Sequence, residues 1–220
     1  MVQSVLTADE YLEQRFDLPE SGQWSELQDG IAVFFEPPDV DHGTAILNLS
    51  KLLSDYVHRQ GIGYPCFDLG LIVARRPDSI LFPAVSYFLS GTRFAEADRA
   101  ATETVPELVI EMLSTPDRQR VFDARATCYL RRGTSIVWGI RPREHSVEIR
   151  RLDSPAHVVG RHDTLDAESL LPGFSASVAR LFEEPDWYRR PHSSAFETGE
   201  SEKSDAQDGS FESDQPSPND

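Results

Sequence analysis

The 220-residue sequence predicts a mixed α/β fold (α+β in its arrangement), with helices flanking a mixed sheet behind an N-terminal helix and hairpin. Residues 108–113, "LVIEML", form a continuous apolar run typical of a buried strand, and a helix-forming segment follows directly. Two shorter apolar runs joined around Asp29-Gly30 indicate a hairpin. A strand–helix unit beside a hairpin favours a sheet that contains both parallel and antiparallel pairs.

The first sixty residues contain three predicted elements. "LTADEYLEQR" begins a short helix, because Thr7 followed by Glu10 matches the capping-box pattern. "WSELQDGIAVFFE" is the hairpin. Residues 41–60 have apolar side chains at helical spacing, and Gly61 is a natural helix end.

The rest of the chain alternates strand-like and helix-like segments. "CFDLGLIVAR" and "ILFPAVSYFLSG" are predicted strands around the turn "RPDS", and Pro83 indicates an edge or a bulge in the second. The helix after "ELVIEML" has Pro116 near its start and Gly133 past its end. Three further strands and a short closing helix are predicted at "SIVWGI", "SVEIRRL", "HVVG" and "SASVARLF".

Composition divides the chain into two parts. Residues 1–185 are long enough for one domain with its own core. Residues 186–220 are predicted to be a disordered acidic tail, because apolar periodicity stops and polar, Pro and Gly content rises. The net charge is −16, and residues 191–220 contribute eight acids against one lysine. This balance argues against non-specific coating of nucleic acid.

The sequence offers no signal for a membrane. No apolar run approaches the roughly 18 residues that a spanning helix needs, and the N-terminus lacks a basic region followed by an apolar one. Cys66 and Cys128 match no metal or redox spacing. Two such cysteines suit a reducing compartment, so we expect a cytoplasmic protein.

Positive charge is concentrated in residues 118–151, which hold nine arginines against three acids. This Arg-rich segment is a candidate DNA-facing surface, because guanidinium groups bind backbone phosphates. The alternative is a set of solvated arginines on helix and strand faces. Lysine is nearly absent, since the only two are Lys51 and Lys203.

Two charged residues lie where apolar ones are expected. Glu111 interrupts the buried strand, and an isolated buried carboxylate is costly. Arg125 lies in the apolar stripe of the next helix, with Phe122 and Tyr129 on the same face. We therefore expect Glu111 to face Arg125. The pair is either a structural ion pair (or an arginine extending to water) or part of a metal- and phosphate-handling site.

Two further side chains are candidates for the same site. Glu26 lies in the first hairpin strand between Ser25 and Leu27, and His42 begins the long helix. Each is equally compatible with an ordinary surface or helix-cap position.

The order and spacing of these segments resemble the Uma family of restriction endonucleases, within the PD-(D/E)XK nuclease superfamily. The resemblance covers residues 5–182 and rests on seven segments together: "LTADEYLEQ", "SELQDGIAVFFEPPDVDHGTAILNLSKLL", "ILFPAVSYF", "VPELVIEMLSTPD", "ATCYLRRGTSIVWGIRP", "SVEIRRL" and "LLPGFSASVARLF". It implies a restriction-endonuclease-like mixed sheet flanked by helices and Mg²⁺-dependent hydrolysis of DNA phosphodiester bonds. In that chemistry the metal lowers the pKa of an attacking water.

Position by position, the resemblance implies roles for four residues. The family's metal-binding Glu falls on Glu111, and the Glu of its first hairpin falls on Glu26. Its His before the long helix falls on His42. Its catalytic Lys falls on Arg125, which keeps the charge but cannot shuttle a proton.

The main departure from the family pattern is Ala84. The family has Pro-Asp where this chain has Pro83-Ala84, so a metal-ligand carboxylate is lost. Asp68 on the preceding strand is a candidate replacement. We therefore predict an impaired site, in which an ion pair between Glu111 and Arg125 replaces metal chemistry, since loss of a metal ligand lowers activity by several powers of ten.

Three functions are compatible with these observations. The first is a metal-dependent nuclease with residual activity, and restriction-type enzymes of this kind commonly act as homodimers. The second is a non-catalytic DNA-binding module that uses residues 118–151. The third is a protein-binding module whose acidic tail recruits a basic partner.

Overall fold

The computed structural model describes residues 5–90 and 95–185. Three α-helices are present in this part of the chain, α1 (Ala8–Gln14), α2 (Val40–Gln60) and α3 (Pro116–Arg132). The strands of the first half are β1 (Ser25–Gln28), β2 (Ile31–Phe34), β3 (Tyr64–Phe67), β4 (Gly70–Ala74), β5 (Ser79–Leu81) and β6 (Val85–Phe88). Those of the second half are β7 (Ala101–Thr102), β8 (Leu108–Met112), β9 (Ile136–Arg141), β10 (Ser146–Arg150), β11 (His157–Val159), β12 (Thr164–Asp166) and β13 (Ser175–Ser177).

The helix boundaries follow the sequence signals. The Thr7 hydroxyl accepts a hydrogen bond from the Glu10 amide, and the Glu10 carboxylate accepts one from the Thr7 amide, which completes the predicted capping box. Helix α2 ends at Gly61 and α3 ends at Gly133, both in the left-handed conformation that favours glycine. Among the described residues, no helix has the length and hydropathy needed to cross a bilayer.

The strands form two larger sheets and one small pair. The five-stranded sheet has the order β2-β1-β5-β4-β7, and the six-stranded sheet has the order β11-β10-β9-β8-β6-β3. Strands β12 and β13 pair only with each other. The pairs β8/β9 and β4/β7 are parallel and the others are antiparallel. The mixed character that was predicted is confirmed, but the strands divide into two larger sheets where one was expected.

Strand β8 is buried on both faces, and the alternation of its side chains separates two cores. Leu108, Ile110 and Met112 face a core that includes residues of α2. Val109 faces the opposite core, together with residues of α3. Glu111, two residues after Val109, therefore points toward α3.

Some predicted elements differ from the observed ones. "CFDLGLIVAR" and "ILFPAVSYFLSG" each divide into two strands that belong to different sheets, because the chain turns at Asp68 and at Phe82–Ala84. "SASVARLF" forms β13 followed by a 3₁₀ turn at Val178–Leu181, where a helix was predicted. The predicted acidic tail, residues 186–220, lies outside the described residues.

Candidate functional site

The two misplaced charges of the sequence are in direct contact. Arg125 donates from Nε and Nη2 to Oε1 of Glu111, at 2.9 and 2.7 Å. The Tyr129 hydroxyl, one helical turn beyond Arg125, donates to the same oxygen at 2.7 Å. Glu111 and Arg125 are only 3% and 6% exposed. The contact expected from strand and helix periodicity is thus confirmed.

Glu26 brings a second carboxylate to the same guanidinium. Its Oε2 accepts a hydrogen bond from Nη1 of Arg125, and its Oε1 accepts one from the Phe82 amide at 2.9 Å. Glu26 lies on β1 of the five-stranded sheet, whereas Glu111 lies on β8 of the six-stranded sheet. Arg125 therefore bridges the two sheets.

Glu26, Arg125 and Glu111 form a buried triad of charges. Burial is the largest single influence on the pKa of Glu111 and of Arg125. Burial raises the pKa of Glu111, the charge of Arg125 opposes that shift, and the neighbouring Glu26 carboxylate adds to it. The two carboxylates raise the pKa of Arg125 well above its ordinary value against the effect of burial, so this guanidinium stays charged.

His42 lies beside the triad, near the start of α2. Its Nδ1 shares a hydrogen bond of 2.6 Å with the Ser114 hydroxyl, and its ring meets the Trp24 ring edge-on. Burial, reinforced by the nearby Arg118 charge, lowers the pKa of His42 to about 4. The imidazole is therefore neutral at pH 7.

These side chains line a cleft of about 220 Å³. Its lining includes every residue that the sequence proposed except Arg125, which lies directly behind it: Glu26, His42, Asp68, Ala84 and Glu111. Ala84 follows the turn between β5 and β6 and presents a methyl group to the cleft. Asp68 forms an ion pair with Arg15 at 3.0 Å, so its carboxylate is already engaged.

The cleft also contains a cation that the sequence analysis did not single out. Arg118 lines the cleft wall, with its guanidinium 4.8 Å from the centre of the Phe35 ring and 5.7 Å from that of Trp24. A signal for it was present, because Arg118 precedes Arg125 by seven residues and so lies two helical turns away on the same face.

Most arginines of the Arg-rich segment are engaged within the protein. Arg141 and Arg150 both donate to Glu148, and Arg143 pairs with Asp39. Arg132 donates to the carbonyl groups of Ile72 and Val73. These contacts leave fewer arginines for a partner than the net charge of the segment suggested. Arg120 and Arg131 are among the exposed ones.

No group of three or more His, Cys, Asp or Glu side chains placed to hold a metal ion occurs among residues 5–90 and 95–185. Glu26 and Glu111 both line the cleft, and both contact Arg125.

The two mixed sheets with their flanking helices place the chain in the mixed α+β class, with Glu111 on β8 paired to Arg125 on α3. Residues 8–179 match the model of the Uma2 family, described as "Putative restriction endonuclease", and the chain belongs to this family. A crystal structure of a "putative nuclease belonging to DUF820" from Anabaena variabilis has a similar fold, with a TM-score of 0.65 and 22% sequence identity. That similarity covers 80% of this chain and 97% of the other. No protein of curated function matches the sequence.

Proposed function

We propose that this protein is a restriction-endonuclease-family domain that binds DNA in its cleft and whose metal-dependent cleavage is impaired. The observation that carries the proposal is the engagement of both Glu26 and Glu111 by the single guanidinium of Arg125. Family membership supports DNA as the ligand.

The side chains of the cleft do not fit a divalent cation. Mg²⁺ is held by oxygen ligands, of which the protein usually supplies one or two carboxylates. Both oxygens of Glu26 accept hydrogen bonds, and Oε1 of Glu111 accepts three. Ala84 supplies no oxygen at the position where the family has an aspartate. The positive charge of Arg125 beside both carboxylates opposes the entry of a cation.

A buried arginine also differs chemically from the lysine that the family pattern implies at position 125. A guanidinium is charged at every accessible pH and cannot transfer a proton to or from water. It satisfies two carboxylates at once through its fork of N–H groups, which a lysine ammonium cannot do in the same geometry. Arg125 therefore serves as a charge-balancing structural group.

The test is a DNA cleavage assay with Mg²⁺ or Mn²⁺ on supercoiled and linear DNA. Wild type and Ala84→Asp/Arg125→Lys are compared, because the double variant restores both the carboxylate and the lysine. We expect metal-dependent nicking only by the double variant, and its loss when Glu111→Ala is added. Metal-dependent cutting by wild type that Glu111→Ala abolishes would overturn the impairment. Absence of DNA binding by the wild-type protein would overturn the binding role.

A further inference from the structure

Arg118 is a partly buried cation that lacks an acidic partner. None of the ion pairs among the described residues includes it. Its Nε is buried without a hydrogen-bond partner. Buried charged groups are normally paired, so an unpaired guanidinium in a cleft wall indicates a place for an anion.

The surroundings of Arg118 explain why the protein itself does not supply that anion. Glu26 and Glu111 lie near enough to stabilise its charge, but their hydrogen bonds go to Arg125. The Asp117 carboxylate bonds to the backbone amides of Glu36 and Arg118. The guanidinium is instead positioned by the rings of Phe35 and Trp24.

The cleft suits an anion with an organic body better than a free ion. Its volume of about 220 Å³ is below the roughly 300–1,000 Å³ of typical small-molecule pockets, which favours one group of a larger ligand. Trp24, Phe67 and Phe82 contribute aromatic surface to its lining, and Phe67 is 41% exposed. Aromatic rings beside a cation are the combination that binds the base and phosphate of an unpaired nucleotide.

We propose that Arg118 binds a phosphate group of DNA, with the adjoining nucleotide against the aromatic wall of the cleft. The guanidinium of Arg118 lines the cleft and donates to phosphate oxygens from the N–H groups that face it. This subsite rests on the proposed DNA-binding function and assigns it a specific contact. It involves binding only and no bond is broken.

The experiment measures binding of the full chain to a single-stranded DNA oligonucleotide and to inorganic phosphate. Binding is followed by tryptophan fluorescence, with Trp24→Phe identifying the part of the signal that comes from the cleft. The variants are Arg118→Gln, Arg118→Lys and, as a matched control on the same helix, the exposed Arg120→Gln. Urea unfolding of each variant checks that the fold is retained.

We expect Arg118→Gln to weaken oligonucleotide binding at least tenfold and to reduce the slope of log K against log salt by about 1. Arg118→Lys should recover part of the affinity, and Arg120→Gln should have a smaller effect. Equal binding by wild type and Arg118→Gln overturns the subsite and leaves the proposed function intact. Phosphate binding that depends on Arg118, without any oligonucleotide binding, overturns the assignment of this anion site to a DNA phosphate.

Discussion

The guanidinium of Arg125 forms ion pairs with two carboxylates that lie on different strands. Removing one partner of a buried charge group typically costs about 3–5 kcal/mol, because the remaining charge is left without compensation. Here loss of the cation would leave two carboxylates, only 2% and 3% exposed, facing each other without a positive partner. Truncation of Arg125 is therefore expected to be costly whether or not the cleft binds a ligand.

Arg125→Met should reduce the free energy of unfolding by about 3–5 kcal/mol at pH 7. Arg125 opposes the burial-driven rise in the pKa of Glu111, so its removal raises that pKa further. A raised carboxyl pKa favours the neutral form of Glu111. The loss of unfolding free energy relative to wild type should therefore shrink as the pH falls toward the pKa that Glu111 has in the unfolded chain. Urea unfolding between pH 4 and 8 measures this. Arg125→Lys, which keeps a positive charge, should lose less stability than Arg125→Met. A loss of under about 1 kcal/mol for Arg125→Met at pH 7 would contradict this expectation.

His42 makes a separate contribution to acid sensitivity. Its pKa of about 4 in the folded protein lies below the 6.5 of an unperturbed histidine, so the unfolded chain binds more protons between these values. Stability should therefore rise with pH across this window, by about 3 kcal/mol from this group.

Replacing His42 by Asn should remove that part of the pH dependence in urea unfolding. His58→Asn is the matched control, because His58 is an exposed residue of the same helix. The same pH profile in wild type and His42→Asn would show that the imidazole is not held neutral.

The contact between Glu111 and Arg125 could be predicted because each breaks a clear apolar pattern at a known period. The bond from Phe82 to Glu26 could not, since it joins residues 56 positions apart through a turn that no local pattern specifies. Arg118 was counted within the Arg-rich segment and not assigned to the site, because its aromatic neighbours are distant in sequence: Trp24 precedes β1 and Phe35 follows β2.

Close packing of α3 on β9 positions Arg125. A Cβ on Gly139 would lie 2.5 Å from the Phe122 ring and 2.9 Å from Leu113, so only glycine permits this approach. Phe122 precedes Arg125 by one helical turn, and Gly139 pairs with Glu111 across β8 and β9. The glycine thus allows the helix to bring its arginine onto the acid.

Gly139→Ala should destabilise the protein by about 1–3 kcal/mol, because the ring must move or the helix must shift. Gly43→Ala is the matched control, since nothing lies within 4 Å of its Cβ position and it is in helix α2. That control should be stabilised by up to about 1 kcal/mol, as expected for Gly→Ala in a helix. Thermal unfolding of both variants provides the comparison, and a neutral Gly139→Ala would argue against the close contact.

The sequence predicted individual strands better than their partners. Strand periodicity indicates which residues alternate, but it carries no information on which edge each strand joins. For this reason each of the two runs around "RPDS" was expected to be one strand. In the structure each run supplies one strand to the five-stranded sheet and one to the six-stranded sheet. Pro83 marked the position of one of these breaks.

The two carboxylates of the triad already lie beside positive charge. Glu26 and Glu111 face Arg125 directly, and Arg118 lies close enough to feel both acids. A divalent cation entering this arrangement would add uncompensated positive charge. An aspartate at position 84 would shift the charge of the cleft toward cation binding.

Thermal unfolding with and without millimolar Mg²⁺ or Mn²⁺ tests this balance independently of catalysis. A ligand that binds only the folded state raises the Tm, so wild type should show no metal-dependent change. Ala84→Asp/Arg125→Lys should show an increase that excess chelator reverses. A metal-dependent rise in the wild-type Tm would mean that the cleft accepts a cation as it stands.

The guanidinium that joins β1 to β8 has a consequence for how the protein opens. Because Arg125 connects the two sheets, we expect the amide hydrogens of both sheets to exchange with solvent in the same rare opening event. Without the guanidinium, the five-stranded sheet could open locally by itself. Its amide hydrogens would then exchange faster than those of the strands that pack on α2.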